Sequence, residues 1–303
     1  MSEPASESSA RRKLASGSSA QPAPRIDAHH HFWQVARQEQ PWRGDAHAGL
    51  AADFEPADLA PQLDAAGVDA TVLVESVDTP AENDLLAGYA AAFPRVAGVV
   101  GWLPLADAAA ARAELARADR GRWCGVRCLV GRAPLSWLAD AEAVALFTEL
   151  ADEGLAWDVV PVTDGQADAV VALARAVPGL RIVVDHLARP PLDTGVADGW
   201  RARVDALSAC PNVAMKVSVG IDVLTAWPAW RPADLTPYVA HAVDRFGAER
   251  LMLASNWPVV TLRADYGAAV RDLDAAVVAC GLDAAGLAEV RGGTAARWYA
   301  LRT

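Results

Sequence analysis

The chain has 303 residues, 53% hydrophobic and 21% charged, with a formal net charge of −11. That acidity argues against nucleic acid or an anionic membrane surface as partner, and the composition suits a large buried core. Four cysteines (124, 128, 210 and 280) make no CxxC pair and no disulfide framework, and no apolar run is long enough to span a bilayer; both fit a cytoplasmic protein.

Residues 1–24 are rich in Ser, Ala and Pro and read as a disordered tail. Arg11-Arg12-Lys13 is not followed by the apolar stretch an export signal needs. Residues 25–303 then alternate short apolar runs with Ala-rich helical stretches. Strands are expected at 25–30, 69–76, 96–103, 125–130, 156–160, 181–186, 213–218 and 251–256. Most are continuous apolar runs, as for strands buried on both faces of a parallel sheet. Helices are expected at 57–66, 82–93, 108–118, 141–153, 166–177, 197–209, 233–246 and 264–280. In the seventh of these, Leu235, Tyr238, Val239, Ala242, Val243 and Phe246 fall on one face at helical spacing. Gly67, Gly154 and Gly247 are placed to cap helix C-termini.

Eight strand–helix units of this size predict a single-domain (β/α)8 TIM barrel with long loops after strands 1, 6 and 7. A doubly wound open sheet is the rival, but no Gly-rich nucleotide loop follows any strand. In a barrel, chemistry gathers at the C-terminal strand ends. Those ends carry His29 and His31, Glu75, Arg127, Asp185 and His186, Lys216, and Asn256. Strand alternation puts His29 and His31 on one face and His30 on the other. By the same rule Asp185, next to His186, should face away and be structural. The loops 32–54 and 220–232 carry Trp33, Trp42, Trp227 and Trp230, suited to substrate walls or lids.

Several of these fragments resemble the amidohydrolase superfamily, and within it the branch of sugar-lactone hydrolases. They are Asp27-Ala-His-His-His-Phe-Trp33, Val96-Ala-Gly-Val-Val-Gly-Trp102, Gly125-Val-Arg127, Asp185-His-Leu-Ala-Arg-Pro-Pro191, Met215-Lys-Val-Ser218 and Ser255-Asn-Trp-Pro-Val259, with Gly292-Gly-Thr-Ala-Ala-Arg-Trp298 similar to its C-terminal helix. The resemblance covers nearly all the chain after residue 25. It implies a TIM-barrel hydrolase that opens a small lactone with activated water, with or without one divalent metal, Zn or Mn. Carried over, His29, His31 and His186 are the metal candidates and, with Asn256, the catalytic ones. Arg127, Lys216, Glu75, Trp33 and Trp102 are the substrate-binding candidates.

Two positions depart from the branch. Cys128 stands where His or Gln is usual, and Asn256 stands where the eighth strand commonly ends in an aspartate. An amide cannot act as a base near neutrality, though it can orient water or donate a hydrogen bond. The base then falls to a histidine or to Glu75, itself equally an ion partner for Arg127 or Lys216. Arg127 and Lys216 are each either a carbonyl-side contact or a buried ion-pair residue. A decarboxylase, dehydratase or cyclase on the same barrel, or a binding protein without catalysis, stays open beside the hydrolase. The partner expected is a small molecule, with a homo-oligomer also open.

Overall fold

The computed structural model describes residues 23–302 except Val196; the expected tail, 1–24, lies almost wholly outside them. Eight parallel strands pair in chain order: β1 (Ile26–His30), β2 (Ala70–Val74), β3 (Val96–Trp102), β4 (Trp123–Arg127), β5 (Ala156–Val159), β6 (Ile182–Val184), β7 (Val213–Val217) and β8 (Leu251–Leu253). The ring closes where β8 meets β1. There Asn256 N donates to His29 O and His31 N to Trp257 O, at 2.8 and 2.7 Å. This is the expected (β/α)8 barrel.

Helices α1 (Pro56–Ala66), α2 (Pro80–Ala92), α3 (Ala108–Arg117), α4 (Ala141–Asp152), α5 (Asp164–Ala176) and α6 (Asp198–Ser208) cover the outside. The ring is completed by α7 (Ile221–Ala226), α8 (Pro232–Phe246) and α9 (Tyr266–Val278). Local sequence sets their starts. Thr79, Asp107, Thr163 and Asp265 each accept a backbone N–H in the first turn, and proline opens α1, α2 and α8. Gly67 takes the left-handed conformation (φ 63°) that closes α1. Among the described residues no helix is long and apolar enough to cross a membrane.

Inside the barrel, small side chains such as Ala28, Ala70, Ala156 and Ala214 pack with Val72, Val183 and Met252. Two short helices, α10 (Ala284–Ala288) and α11 (Thr294–Trp298), end the chain. Ala295, Trp298 and Tyr299 join the interior cluster and plug the N-terminal mouth. Gly292 allows this approach, because a Cβ there would overlap the Pro24 carbonyl oxygen.

Three expectations need correction. The fourth strand lies two or three residues earlier than 125–130, because Leu129 N is taken by the Asp78 carboxylate instead of a sheet ladder. The sixth and eighth strands stop early, since His186 (φ 56°) and Asn256 (φ 58°) turn left-handed. The expected long loop after strand 7 holds α7, and its Trp227 is fully buried. The long loop after strand 1 is present, and substantial loops also follow β4 and β8.

Candidate active site

The first strand departs from plain alternation. Between Asp27 and His30 its register against β2 slips by one residue, a β-bulge. Ala28 and His29 therefore both face the barrel interior. His30 faces outward, its Nε2 2.9 Å from Thr71 Oγ1 and its ring against Phe32. Asp27 braces the bulge, accepting from His29 N, Ser255 N and Ser255 Oγ. Burial raises the Asp27 pKa against those hydrogen bonds.

His31 follows His29 inward. Its Nδ1–H goes to Val74 O at 2.8 Å, which leaves Nε2 a bare lone pair. That atom faces His29 Nε2 at 3.2 Å. His29 Nδ1 lies 3.2 Å from both Asp185 Oδ1 and Lys216 Nζ. When His29 donates its Nδ1–H to the Asp185 carboxylate, two lone pairs face each other across a gap that suits a shared proton or a cation.

His186 comes from the opposite side of the barrel. It opens a run of four left-handed residues, His186, Leu187, Ala188 and Arg189, with φ from 50° to 60°. Such a run costs about 1–2 kcal/mol per residue and marks a constrained segment. It turns the His186 ring onto His29, centroids 4.6 Å apart, with Nδ1 2.8 Å from Ser218 Oγ. It also breaks strand alternation, so Asp185 faces inward beside His186 instead of away, which corrects the orientation expected of it. Donor atoms of His29, Asp185 and His186 all lie within 4.8 Å of one another. Two imidazoles, a carboxylate and the nearby His31 are a donor set suited to zinc.

Beneath these rings lies a buried ionic layer. Arg127 Nε donates to Glu75 Oε1 at 2.7 Å, Nη2 to Glu75 O, and Nη1 to Asp185 Oδ2 at 3.2 Å. Lys216 Nζ meets Asp158 Oδ2 at 2.5 Å and Asp185 Oδ1 at 3.0 Å. Tyr299 OH reaches up from the plug to Asp158 Oδ2 at 2.7 Å. Burial pushes the Glu75 carboxyl up to about 7 against the pull of Arg127, and one of its oxygens has no partner among the described residues. Burial would raise Asp185 too, but Lys216 and His29 outweigh it and hold it well below the carboxylate range. Burial lowers His29 and His31 well below the usual imidazole range and His186 to about 4. All three rings are neutral near pH 7.

Above this floor a cavity of about 310 Å³ opens at the C-terminal mouth, lined by residues from the ends of seven strands. His31, Arg127, His186 and Asn256 reach it. Asn256 donates Nδ2–H to Val219 O at 2.8 Å. Glu75 and Lys216, fully buried, stay below in the ionic layer and do not line the cavity. Trp33 and Trp102 also stand outside the lining. The Trp33 indole N–H goes to Ala52 O, and the Trp102 backbone is clamped by Asn83. Trp42 supplies the aromatic wall instead, its indole N–H on Ser76 O. Beyond Cys128, already marked as a departure from the branch, sequence reasoning missed the wall after β4, residues 129–132, which carries no titratable cluster.

A family model described as Amidohydrolase matches residues 26–301. The chain belongs to the amidohydrolase family. This amidohydrolase is 38% identical to an L-fucono-1,5-lactonase of Burkholderia ambifaria over 246 residues, 80% of this chain and 83% of the relative. It is 34% identical to an L-fucono-1,5-lactonase of Burkholderia multivorans, over 91% of this chain and 96% of that protein. A solved amidohydrolase structure from Burkholderia multivorans, described with bound Zn, superposes with a TM-score of 0.82 at 31% identity, covering 92% of this amidohydrolase and all of that chain.

Proposed function

We propose that this amidohydrolase opens a small lactone with activated water, and that the reacting ring lies at the cavity floor against His31, His186 and Asn256. The observation that carries the reading is the meeting of His29, His31 and His186 from opposite sides of the barrel at the base of one cavity. The named activity of the two lactonase relatives supports it.

Opening a lactone requires water to attack the carbonyl carbon, the ring C–O bond to break, and the departing alkoxide to take a proton. With Nδ1–H donated to Ser218 Oγ, His186 presents a bare Nε2 to the cavity and accepts a proton from the attacking water. Its lowered proton affinity makes the imidazolium so formed a ready acid, which returns that proton to the alkoxide. Arg127, paired with Glu75 and Asp185, is the cation that reaches the floor where charge grows on the carbonyl oxygen. Asn256 Oδ1, without a partner among the described residues, is placed to accept from the water.

A divalent ion such as zinc fits between His29 and His31, which would supply nitrogens, with Asp185 the nearest carboxylate; His186 would then keep its Nε2 for the proton. When bound it would polarise the carbonyl and acidify water. The four free thiols support a reducing compartment.

Proton release from a panel of 1,5-lactones tests the reading. His186→Asn should lower kcat about 10²- to 10⁴-fold while far-UV circular dichroism stays unchanged. Equal turnover in that variant would remove His186 from the chemistry.

A further inference from the structure

The lactone reading leaves the rest of the substrate open, and the cavity wall speaks to it. Above the floor the wall is made by Leu129 and Val130 after β4, Val160 and Val162 after β5, Ile221 at the start of α7, and Val259 after β8. Trp42 and Cys128 complete it. Leu129 is 43% exposed, one of two large apolar side chains so exposed among the described residues, and it stands on this wall.

Away from the floor groups His31, His186 and Asn256, the polar side chains that share the lining, Arg132 apart, are paired within the protein, Asp222 through one oxygen. Ser76 Oγ donates to Glu82 Oε1. Arg189 is paired with Asp193 and Asp222. Arg127 is held by Glu75 and Asp185. Part of the wall's backbone is committed too. Leu129 N donates to Asp78, Val162 N to Gln166 Oε1, and Gly131 O accepts from Gln166 Nε2. Beyond the floor, Arg132 is the remaining charged group, exposed at the rim without a carboxylate partner among the described residues.

A sugar lactone brings several ring hydroxyls, each one donor and two acceptors. A hydroxyl set against the apolar side chains of this wall would lose water and gain no partner there, which costs roughly tenfold or more in binding for each. A hydrocarbon substituent instead gains about fourfold for each methylene buried. We propose that the natural substrate is a lactone carrying an alkyl or aryl substituent, held against the Leu129–Val130–Val162–Ile221 wall, and not a polyhydroxylated sugar lactone. The proposal rests on the lactone reading above and narrows it.

Three 1,5-lactones compared by proton release decide it: δ-valerolactone, its pentyl-substituted homologue δ-decalactone, and L-fucono-1,5-lactone. The expected kcat/KM for δ-decalactone is at least about a hundredfold above δ-valerolactone, with L-fucono-1,5-lactone below both. L-fucono-1,5-lactone as the best of the three would overturn the proposal. Leu129→Asn changes an exposed position and should cut the δ-decalactone preference about tenfold; an unchanged ratio counts against the wall. If none of the three is opened, the lactone reading fails, and the wall is then judged by binding. Quenching of tryptophan fluorescence by 6-pentyl-2-piperidone should occur at a concentration at least tenfold below that for unsubstituted 2-piperidone. Equal affinities would overturn the apolar assignment.

Discussion

At the scale of single residues, the cavity floor is a balance of lone pairs and buried charge. Asn256 illustrates it. Its Nδ2–H is spent on the Val219 carbonyl, so Asn256→Asp would set a carboxylate oxygen against that carbonyl. Loss of a buried donor and this repulsion should destabilise the protein by about 1–3 kcal/mol in chelator. The new anion lies beside the histidine donors, so added zinc should recover the loss; thermal melts with EDTA and with zinc check it. If zinc restores nothing, the floor holds no cation near Asn256. Glu75 gives a pH signature. Its folded pKa, about 7, lies above the ordinary glutamate value, so the native state holds the proton more tightly than the unfolded chain. Its contribution is therefore favourable at low pH and fades as pH rises from about 4.5 to about 7. Relative to Glu75→Gln, the wild type should lose roughly 3 kcal/mol across that window, read from urea unfolding of both proteins at pH 4.5, 6 and 8. Parallel curves would mean that Arg127 keeps Glu75 ionised throughout.

At the scale of elements, two backbone departures build the site: the bulge in β1 and the left-handed turn after β6. The turn predicts an unusual response to glycine. Buried alanines ordinarily lose stability on replacement by glycine, yet Ala188 sits at φ 50°, where glycine is unstrained. Ala188→Gly should hold or raise the melting temperature, and a clear drop would mean that the turn stores no strain. These same departures mark where sequence reading stopped. The eight strands and their helices were legible because apolar runs and helical periodicity are local properties. His29, His31 and His186 were legible because alternation and strand-end position point to them. Asp185 was misread because alternation assumes one face per residue, and a left-handed His186 puts both neighbours inside. Trp33 and Trp102 were misread because aromatic residues in a loop or at a strand end look alike from sequence whether they face a cavity or the core. The wall at 129–132 carried no signal, since an apolar turn lining a pocket has the composition of an apolar turn packed on a helix.

At the scale of the whole molecule, the barrel is filled from below as well as from its strands. Tyr299 sends its hydroxyl to Asp158, the same carboxylate that holds Lys216, so the plug and the ionic layer under the active site form one connected body. Tyr299→Phe keeps the ring and removes the donor. It should cost about 1–3 kcal/mol, measured by guanidinium unfolding, and a neutral result would mean that Lys216 alone satisfies Asp158. The arrangement also orders the protein's birth on the ribosome. Asp158 is synthesised well before Lys216, and Lys216 well before Tyr299. A nascent chain that has emerged only as far as β6 carries an acid destined for the barrel interior without its counter-ion. One that has emerged through β8 still has an open lower mouth. Sealing of the lower mouth is thus tied to the late arrival of α11, and a chain stalled before residue 294 should be a substrate for chaperones and proteases even though all eight strands have been made.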